Sequence, residues 1–379
     1  MKAILYNSEN PNEPLKLGET EKPTPAENEI LVKVKATALN RADLLQRAGK
    51  YPPPKGVSKI LGLEIAGEVV EIGKGITNHK IGDEVFGLIG GGGYAEYATI
   101  DAQMAISKPK SFSFEEAAAI PEVFLTAFQT IFWTFFGERG EIMGNGNTNA
   151  GTRDEGRGVR NENTNAGSGE WRLENGKNIG NEKAGNENNA IQRTILIHAG
   201  ASGVGSAAIQ LCKVSGMKVF VTASKSKHEF CQNLGVDVVI DYEKEDFAKV
   251  ILEQTNDKGV NYIIDFIGQN YWKQNIDCIA VDGKIAILAA MSGAKLEEAN
   301  LSKILIKRIQ ITGSTLRSRS LEYQRELTRQ FAEFALPLFE EDKLKPVIDS
   351  IFDWSLAELA HKHMETNQNK GKIILSVSE

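Results

Sequence analysis

Between an apolar triplet, Ile195, Leu196 and Ile197, and the segment SAAIQLCKVSG lies a turn of small residues at positions 200–205, Gly-Ala-Ser-Gly-Val-Gly. The segment after the turn has helical character, and Gly216 closes it as a C-terminal cap. Strand, glycine turn, helix is the order a dinucleotide site needs. Glycines let the backbone approach a pyrophosphate, and the free N–H groups of the helix N-terminus bind its charge. The candidate contacts are Gly200, Ala201, Ser202, Gly203 and Val204. The spelling departs from G-x-G-x-x-G, because Ser202 stands at the middle glycine, and such turns also join strands to helices without binding anything.

The next strand, 217–222, sharpens the choice. An NAD site places a carboxylate about twenty residues beyond the turn, for the ribose 2′-hydroxyl. Here the strand ends in Ala-Ser-Lys-Ser-Lys, 223–227, with no carboxylate. The hydroxyl of Ser224 and the ammonium of Lys227 suit a 2′-phosphate, which favours NADPH over NADH. The competing reading is a solvated lysine loop. The third strand, 236–240, leads to Tyr242, which either covers the adenine–ribose end or caps the sheet.

The elements that must position this turn belong to a chain of 379 residues, long enough for two domains. Its net charge of −6 implies no nucleic-acid surface. Cys212, Cys231 and Cys278 form neither a C-x-x-C pair nor an even framework, as expected of reduced thiols and not of a cysteine-rich zinc site. No uninterrupted apolar run suggests a membrane span, and the N-terminus enters strand-like KAILY directly; a cytoplasmic protein is expected.

Residues 1–120 read as short strands: KAILY, ILVKVKAT, IAGEVVEI, DEVFGL and YAEYATI. Glycines 90–93 precede a strand, so a flexible turn fits them better than a phosphate loop. Ser113 and Glu116 have capping-box spacing at the head of a helical region, and the very apolar stretch 123–136 reads as a buried crossover helix. Thr126 lies within it, either facing a ligand or bonded to its own helix. Residues 138–192 are rich in Asn, Gly and Glu, with a partial repeat (NGNTNAG, NENTNAG), and read as a disordered low-complexity insertion.

From 193 to 312, strands alternate with helical spans, the pattern of a doubly wound α/β unit. Helices are expected at 245–254 and 271–280, strands at 260–266, 284–290 and 309–313, and a turn at Asp282 and Gly283. Beyond 314 come a helix at 322–339, a second at 354–365 capped by Ser355 with Glu358, and a strand at 371–377. His361 and His363 sit two residues apart on the second helix, off a common face, and read as solvent histidines.

Several motifs together are similar to a known family. Residues 23–34, 40–44, 61–73, 81–88 and 92–100 resemble the GroES-like catalytic domain of the medium-chain dehydrogenases/reductases. AAAIPEVFLTAF (117–128) and HAGASGVGSAAIQL (198–211) resemble its zinc-free quinone oxidoreductase branch, which is zeta-crystallin-like. NRADLLQRAGKYPPP, FIGQNYW and LRSRS resemble the tumour-suppressor-inducible quinone oxidoreductases within that branch. The implied architecture is a β-rich catalytic domain at 1–122 completed by 314–379. A Rossmann NADP-binding domain, with its parallel sheet, then covers 123–137 and 193–313.

Zinc-dependent relatives carry a cysteine at Asn40 and a histidine at Leu63, and neither present side chain replaces its counterpart at a metal. The resemblance therefore implies NADPH-dependent quinone reduction without metal. Asn40 would bond substrate or nicotinamide ribose, and Tyr51 would face the substrate, with Asp43 in a structural role. Thr126, Ile267 and Met291 would lie along the nicotinamide half of the cofactor, and Asn367 near the 2′-phosphate. The family also implies a homodimer. Reduction of enones or enals, and a non-catalytic NADPH-binding role, are the alternatives.

Overall fold

The computed structural model describes residues 1–137, 192–299 and 301–378, and the backbone of two short strands at 172–174 and 177–179. The N-terminal part is β1 (Lys2–Leu5), β2 (Lys16–Glu19), β3 (Glu29–Ala38), α1 (Arg41–Arg47), β4 (Glu64–Ile72), β5 (Glu84–Leu88), β6 (Tyr97–Asp101) and β7 (Ile106–Ser107). β3 is the centre: it pairs antiparallel with β4 and with β6. Its sequence EILVKVKATA explains why, since Leu31, Val32, Val34, Ala36 and Ala38 are buried while Lys33 and Lys35 are half-exposed. The turn at 90–93 is tightly packed: a side-chain carbon on Gly93 would meet the Thr37 hydroxyl at 2.8 Å.

α2 (Phe114–Ala118) begins with the expected capping box, Ser113 Oγ accepting from the Glu116 N–H at 3.1 Å and Glu116 accepting from the Ser113 N–H at 2.8 Å. α3 (Pro121–Phe128) follows and widens into a π-type coil over Gln129–Phe136. Phe114–Phe136 is long and apolar enough to cross a membrane, contrary to the sequence reading, but 78% of its most apolar window is buried inside the protein. It is a core crossover: Phe124 and Phe128 pack edge-on against Phe339 and Phe331 of the long helix described below.

The chain divides into Met1–Phe136 with Gln192–Glu379, and Gly137–Ile191. Within the second unit, β8 (Arg172–Glu174) and β9 (Lys177–Ile179) form an antiparallel pair, which the expectation of disorder lacked. The rest of that expectation lies outside the described residues.

The larger unit continues with β10 (Thr194–Ile197), α4 (Gly203–Val214), β11 (Lys218–Ala223), α5 (His228–Asn233), β12 (Val238–Asp241), α6 (Phe247–Gln254), β13 (Val260–Asp265), α7 (Trp272–Cys278), β14 (Ile279–Ile287), α8 (Leu301–Lys307) and β15 (Gln310–Gly313). These strands form one six-stranded parallel sheet in the order β12-β11-β10-β13-β14-β15. The order reverses beside β10, so the glycine turn after β10 lies at the topological switch point, where ligands bind in such sheets. The turn expected at Asp282 and Gly283 lies inside β14 instead. Asp282 adopts φ 61°, and the register shifts between β13 and β14, so the strand absorbs the kink.

The chain then returns through α9 (Leu321–Glu340), β16 (Ile348–Asp353), α10 (Ala357–Glu365) and β17 (Lys372–Ser376). β17 pairs antiparallel with β3, closing the β-rich part with residues from both ends of the chain. The cap before α10 is not Ser355. Asp353 accepts from the Ser355 N–H at 2.9 Å, and Glu358 instead reaches the Leu15 N–H at 3.0 Å.

Candidate functional site

The glycine turn is built for close approach. A side-chain carbon on Gly200 would meet Val221 at 2.7 Å, and one on Gly205 would meet the Ala199 carbonyl oxygen at 2.4 Å. One on Gly203 would strike Val123 and Lys372, each at 2.9 Å. Ser202 caps α4, its hydroxyl accepting from the Gly205 N–H at 3.0 Å. That leaves the N–H groups of Gly203 and Val204, in the first helical turn, without intrahelical acceptors and suited to an anion. The Ala201 carbonyl accepts from the Gly371 N–H at 2.9 Å, which ties the turn to the start of β17.

Three cations gather beyond β11. Lys227 donates to the carbonyls of Asn367 at 2.7 Å and Asn369 at 2.9 Å. Arg41 donates to the Met364 carbonyl at 3.0 Å and to the Asn367 side chain. Burial, the largest cause, lowers the Lys227 pKa, and the charges of Lys370 and Arg41 act in the same direction against Asp349. Among the described residues, no carboxylate lies within salt-bridge distance of Arg41, Lys227 or Lys370. Ser224 begins this loop and bonds the Lys227 N–H through its carbonyl at 2.9 Å. The structure thus brings the expected Ser224, Lys227 and Asn367 together and adds Arg41 and Lys370.

Asn40 follows β3 and caps α1. Its amide donates to Glu64 Oε1 at 2.8 Å, and its Oδ1 accepts from Lys372 Nζ at 2.7 Å. Lys372 Nζ also lies 2.8 Å from Glu64 Oε1. The other Glu64 oxygen accepts from the Glu122 N–H at 2.8 Å, at the start of α3. The Asp43 carboxylate is also fully engaged, accepting from the Asn40 and Gly62 N–H groups at 2.8 and 2.9 Å. Burial pushes its carboxyl up to about 6 despite those bonds.

Tyr51 is half-buried, with the Arg317 guanidinium 5.4 Å from its ring centre. Arg317 is anchored by Gly90 and Gln46, at 2.8 Å each. Burial first and the Glu122 charge second hold the Tyr51 hydroxyl above the usual phenol range, with Arg317 opposing. The Glu122 carboxyl is itself pushed up to about 7, by burial and then by the Glu64 charge.

At the carboxyl ends of β10, β11 and β13 lies a buried polar chain. His198 Nδ1 meets Thr222 Oγ1 at 3.0 Å and its Nε2 meets Asn275 Oδ1 at 2.7 Å, while Asn275 donates to Asp265 at 3.1 Å. Burial brings the His198 pKa down to about 4, so the ring is neutral at physiological pH. Asp265 in turn accepts from the Ile267 and Gly268 N–H groups at 2.7 and 3.1 Å, fixing the loop after β13. That loop is bonded to the one after β14 through Met291 N–H to Phe266 at 3.1 Å. Met291 itself is exposed, and so is Tyr242, whose ring tilts toward Tyr271 at 6.4 Å. The carboxyl ends of β14 and β15 border a cavity of about 520 Å³ lined by Leu288, Ala289, Ser314 and Arg319.

Thr126 is not bonded to its own helix. Its Oγ1 is buried and has no hydrogen-bond partner among the described residues. An orphan hydroxyl in this position fits a ligand. With the glycine turn and the three cations, it makes a set of residues that fits a nicotinamide dinucleotide. His361 contradicts its solvent reading: it is fully buried, with Nε2 3.2 Å from the Tyr94 hydroxyl, because its helix packs that face against the β-rich core. His363, half-exposed, bonds Asp349 at 2.8 Å.

Sequence reasoning missed Arg41, Glu122, Arg317, Lys370, Lys372 and the His198 chain. Arg41 and Glu122 sit inside motifs already singled out, next to Asn40 and Pro121. For Lys372, only the pairing of β17 with β3 brings it to Asn40, and no local signal carries that.

Two family models match the chain, the alcohol dehydrogenase GroES-like domain over residues 26–110 and the zinc-binding dehydrogenase over 203–334. The chain belongs to the medium-chain dehydrogenase/reductase superfamily. Among its relatives, the Arabidopsis thaliana chloroplast envelope quinone oxidoreductase homolog is 28% identical, over 93% of this chain and 91% of that one. The human synaptic vesicle membrane protein VAT-1 homolog is 27% identical, over 93% and 80%. The structure of Escherichia coli quinone oxidoreductase complexed with NADPH is 25% identical with a TM-score of 0.75, covering 99% of each chain. The protein is an oxidoreductase of this superfamily that uses a nicotinamide cofactor.

Proposed function

We propose that the protein is a zinc-independent NADPH:quinone reductase. One observation carries the reading. Beyond β11, where an NAD site would hold a ribose-binding carboxylate, Arg41 and Lys227 donate to neutral acceptors, and Lys370 adds positive charge beside them. Such a cluster matches a 2′-phosphate. The glycine turn and the first N–H groups of α4 would hold the pyrophosphate, and Thr126 would meet the nicotinamide half.

The bound nicotinamide would supply a hydride. The chain supplies position and desolvation. Asn40, Leu63 and Glu64 offer an amide, an alkyl group and a carboxylate already bonded to the Lys372 ammonium, which is a poor donor set for zinc. The substrate must therefore accept hydride without a Lewis acid, and a quinone does so because its product is aromatic. Tyr51, flanked by Arg317, offers a planar substrate a ring face and a hydroxyl. The E. coli quinone oxidoreductase and the Arabidopsis homolog support this substrate class by their names.

The test mixes the purified protein with 1,2-naphthoquinone and NADPH and follows loss of reduced-nicotinamide absorbance, with NADH and an enone as parallel arms. Rapid quinone-dependent oxidation with NADPH preferred is expected. Faster turnover of the enone would move the assignment to double-bond reduction. Tight NADPH binding with no turnover of either substrate would leave a binding protein. We also propose a homodimer through β15, an edge strand whose Gln310, Thr312 and Gly313 are exposed beside the exposed Leu301, Leu305 and Ile306 of α8.

A further inference from the structure

We propose that Glu122 is the proton donor of the substrate site, delivering to the reduced substrate's oxygen the proton that hydride transfer leaves outstanding. The proposal rests on the quinone reductase reading. Its geometry comes from the accounting of three neighbouring carboxyls. Both oxygens of Glu64 are occupied, one by Lys372 and Asn40 and the other by the Glu122 N–H. Both oxygens of Asp43 are occupied by backbone N–H groups. Among the described residues the side chain of Glu122 has no hydrogen-bond partner, and its residue is only half-buried while Glu64 and Asp43 are closed off. One carboxyl of the cluster is thus left free and reachable.

Its surroundings fit the task. The groups facing it are Glu64 on β4, Asp43 on α1, Lys372 on β17, Arg317 after β15 and Tyr51 after α1. Burial and the two carboxylates favour its protonated form over the opposing Lys372 and Arg317, so the proton is held up to about pH 7. A donor that titrates near the working pH transfers most effectively. The balance is simple. The reduced nicotinamide gives two electrons and one hydrogen, leaving a hydroquinone monoanion. The O–H bond of the Glu122 carboxyl breaks, an O–H bond forms on the substrate, and the one proton the overall reaction consumes is taken up from solution by the carboxylate.

The experiment compares the full-length wild type with Glu122→Gln and Glu122→Asp, using NADPH and 1,2-naphthoquinone across pH. Wild-type kcat is expected to fall as pH rises through about 7. In Glu122→Gln, kcat should drop about a hundredfold on the acid side and lose that limb, with the NADPH KM unchanged. Glu122→Asp should restore part of the rate and the limb. A second readout needs no turnover: infrared titration of the cofactor-free protein should show a protonated-carboxyl component with a midpoint near 7 that Glu122→Gln removes, leaving the Asp43 component near 6. An active wild type whose Gln variant keeps its rate and limb, or keeps the band component near 7, overturns the proposal alone. A wild type inactive on quinone overturns the reductase reading and the proposal with it.

Discussion

The Glu64 carboxylate and the Lys227 ammonium are both drawn away from water, yet their charges are balanced differently. Glu64 is fully buried and meets Lys372 at 2.8 Å, with Asn40 and the Glu122 N–H completing its bonds. Lys227 is half-buried and meets only backbone carbonyls, with Arg41 and Lys370 adding positive charge beside it. A buried charge without its partner costs several kcal/mol. The Glu64 group is therefore complete within the protein and serves the fold and the placement of Asn40. The Lys227 group carries an excess of positive charge that Asp349 offsets only in part, bearable at a half-exposed position, and the 2′-phosphate of the proposed cofactor would complete it. The first kind of cluster should fail in stability when broken, and the second in ligand affinity.

Lys372→Met tests the first half and should have the largest effect. It leaves Glu64 buried without its cation, so thermal or denaturant unfolding should show a loss of about 3–5 kcal/mol. Adding Glu64→Gln should recover a good part of that loss, because the uncompensated charge goes with it. A Lys372→Met protein as stable as the parent would remove the basis for the contrast. Lys227→Ala tests the second half. Losing a charged hydrogen-bonding group to the 2′-phosphate should weaken NADPH by about 1.5–3 kcal/mol, on the order of ten- to a hundredfold in Kd or KM. NADH should change little, and unfolding should shift by less than about 0.5 kcal/mol. Equal losses for the two cofactors would show that Lys227 does not read the phosphate.

The two clusters are also unequally legible. The glycine turn, Ser224 and Lys227 lie on one continuous stretch, where strand, turn and helix announce themselves by local spacing. The doubly wound sheet follows from the same alternation. Asn40 and its partner Asp43 are legible only through resemblance, and Lys372 is not legible at all. Lys372 stands 332 residues away and arrives by the pairing of β17 with β3. Boundaries fail where a side chain has a better tertiary use. Glu358 leaves the expected capping box for Leu15, and the residues expected as a turn at Asp282 stay inside β14 as a kink. The solvent reading of His361 fails because pairwise spacing tests for a shared metal face and says nothing about which face of α10 is buried.

Thr126 sharpens the contrast at the smallest scale. Its hydroxyl is buried with no partner among the described residues, so the ligand-free protein already bears the cost of desolvating it. Replacing it with valine exchanges a hydroxyl for a methyl of similar shape. If the hydroxyl serves only the fold, the change should destabilise the protein. If it awaits the cofactor, as the Lys227 group does, the ligand-free protein should unfold at the same temperature or slightly higher. NADPH should then bind more weakly by about 1 kcal/mol, the net worth of one hydrogen bond. NADH should lose the same amount, because Thr126 would meet the nicotinamide half that both cofactors share. Calorimetric titration of both cofactors against Thr126→Val, beside Lys227→Ala, separates a contact common to the two from one that reads the phosphate. A loss confined to NADPH would place Thr126 with the cation cluster instead.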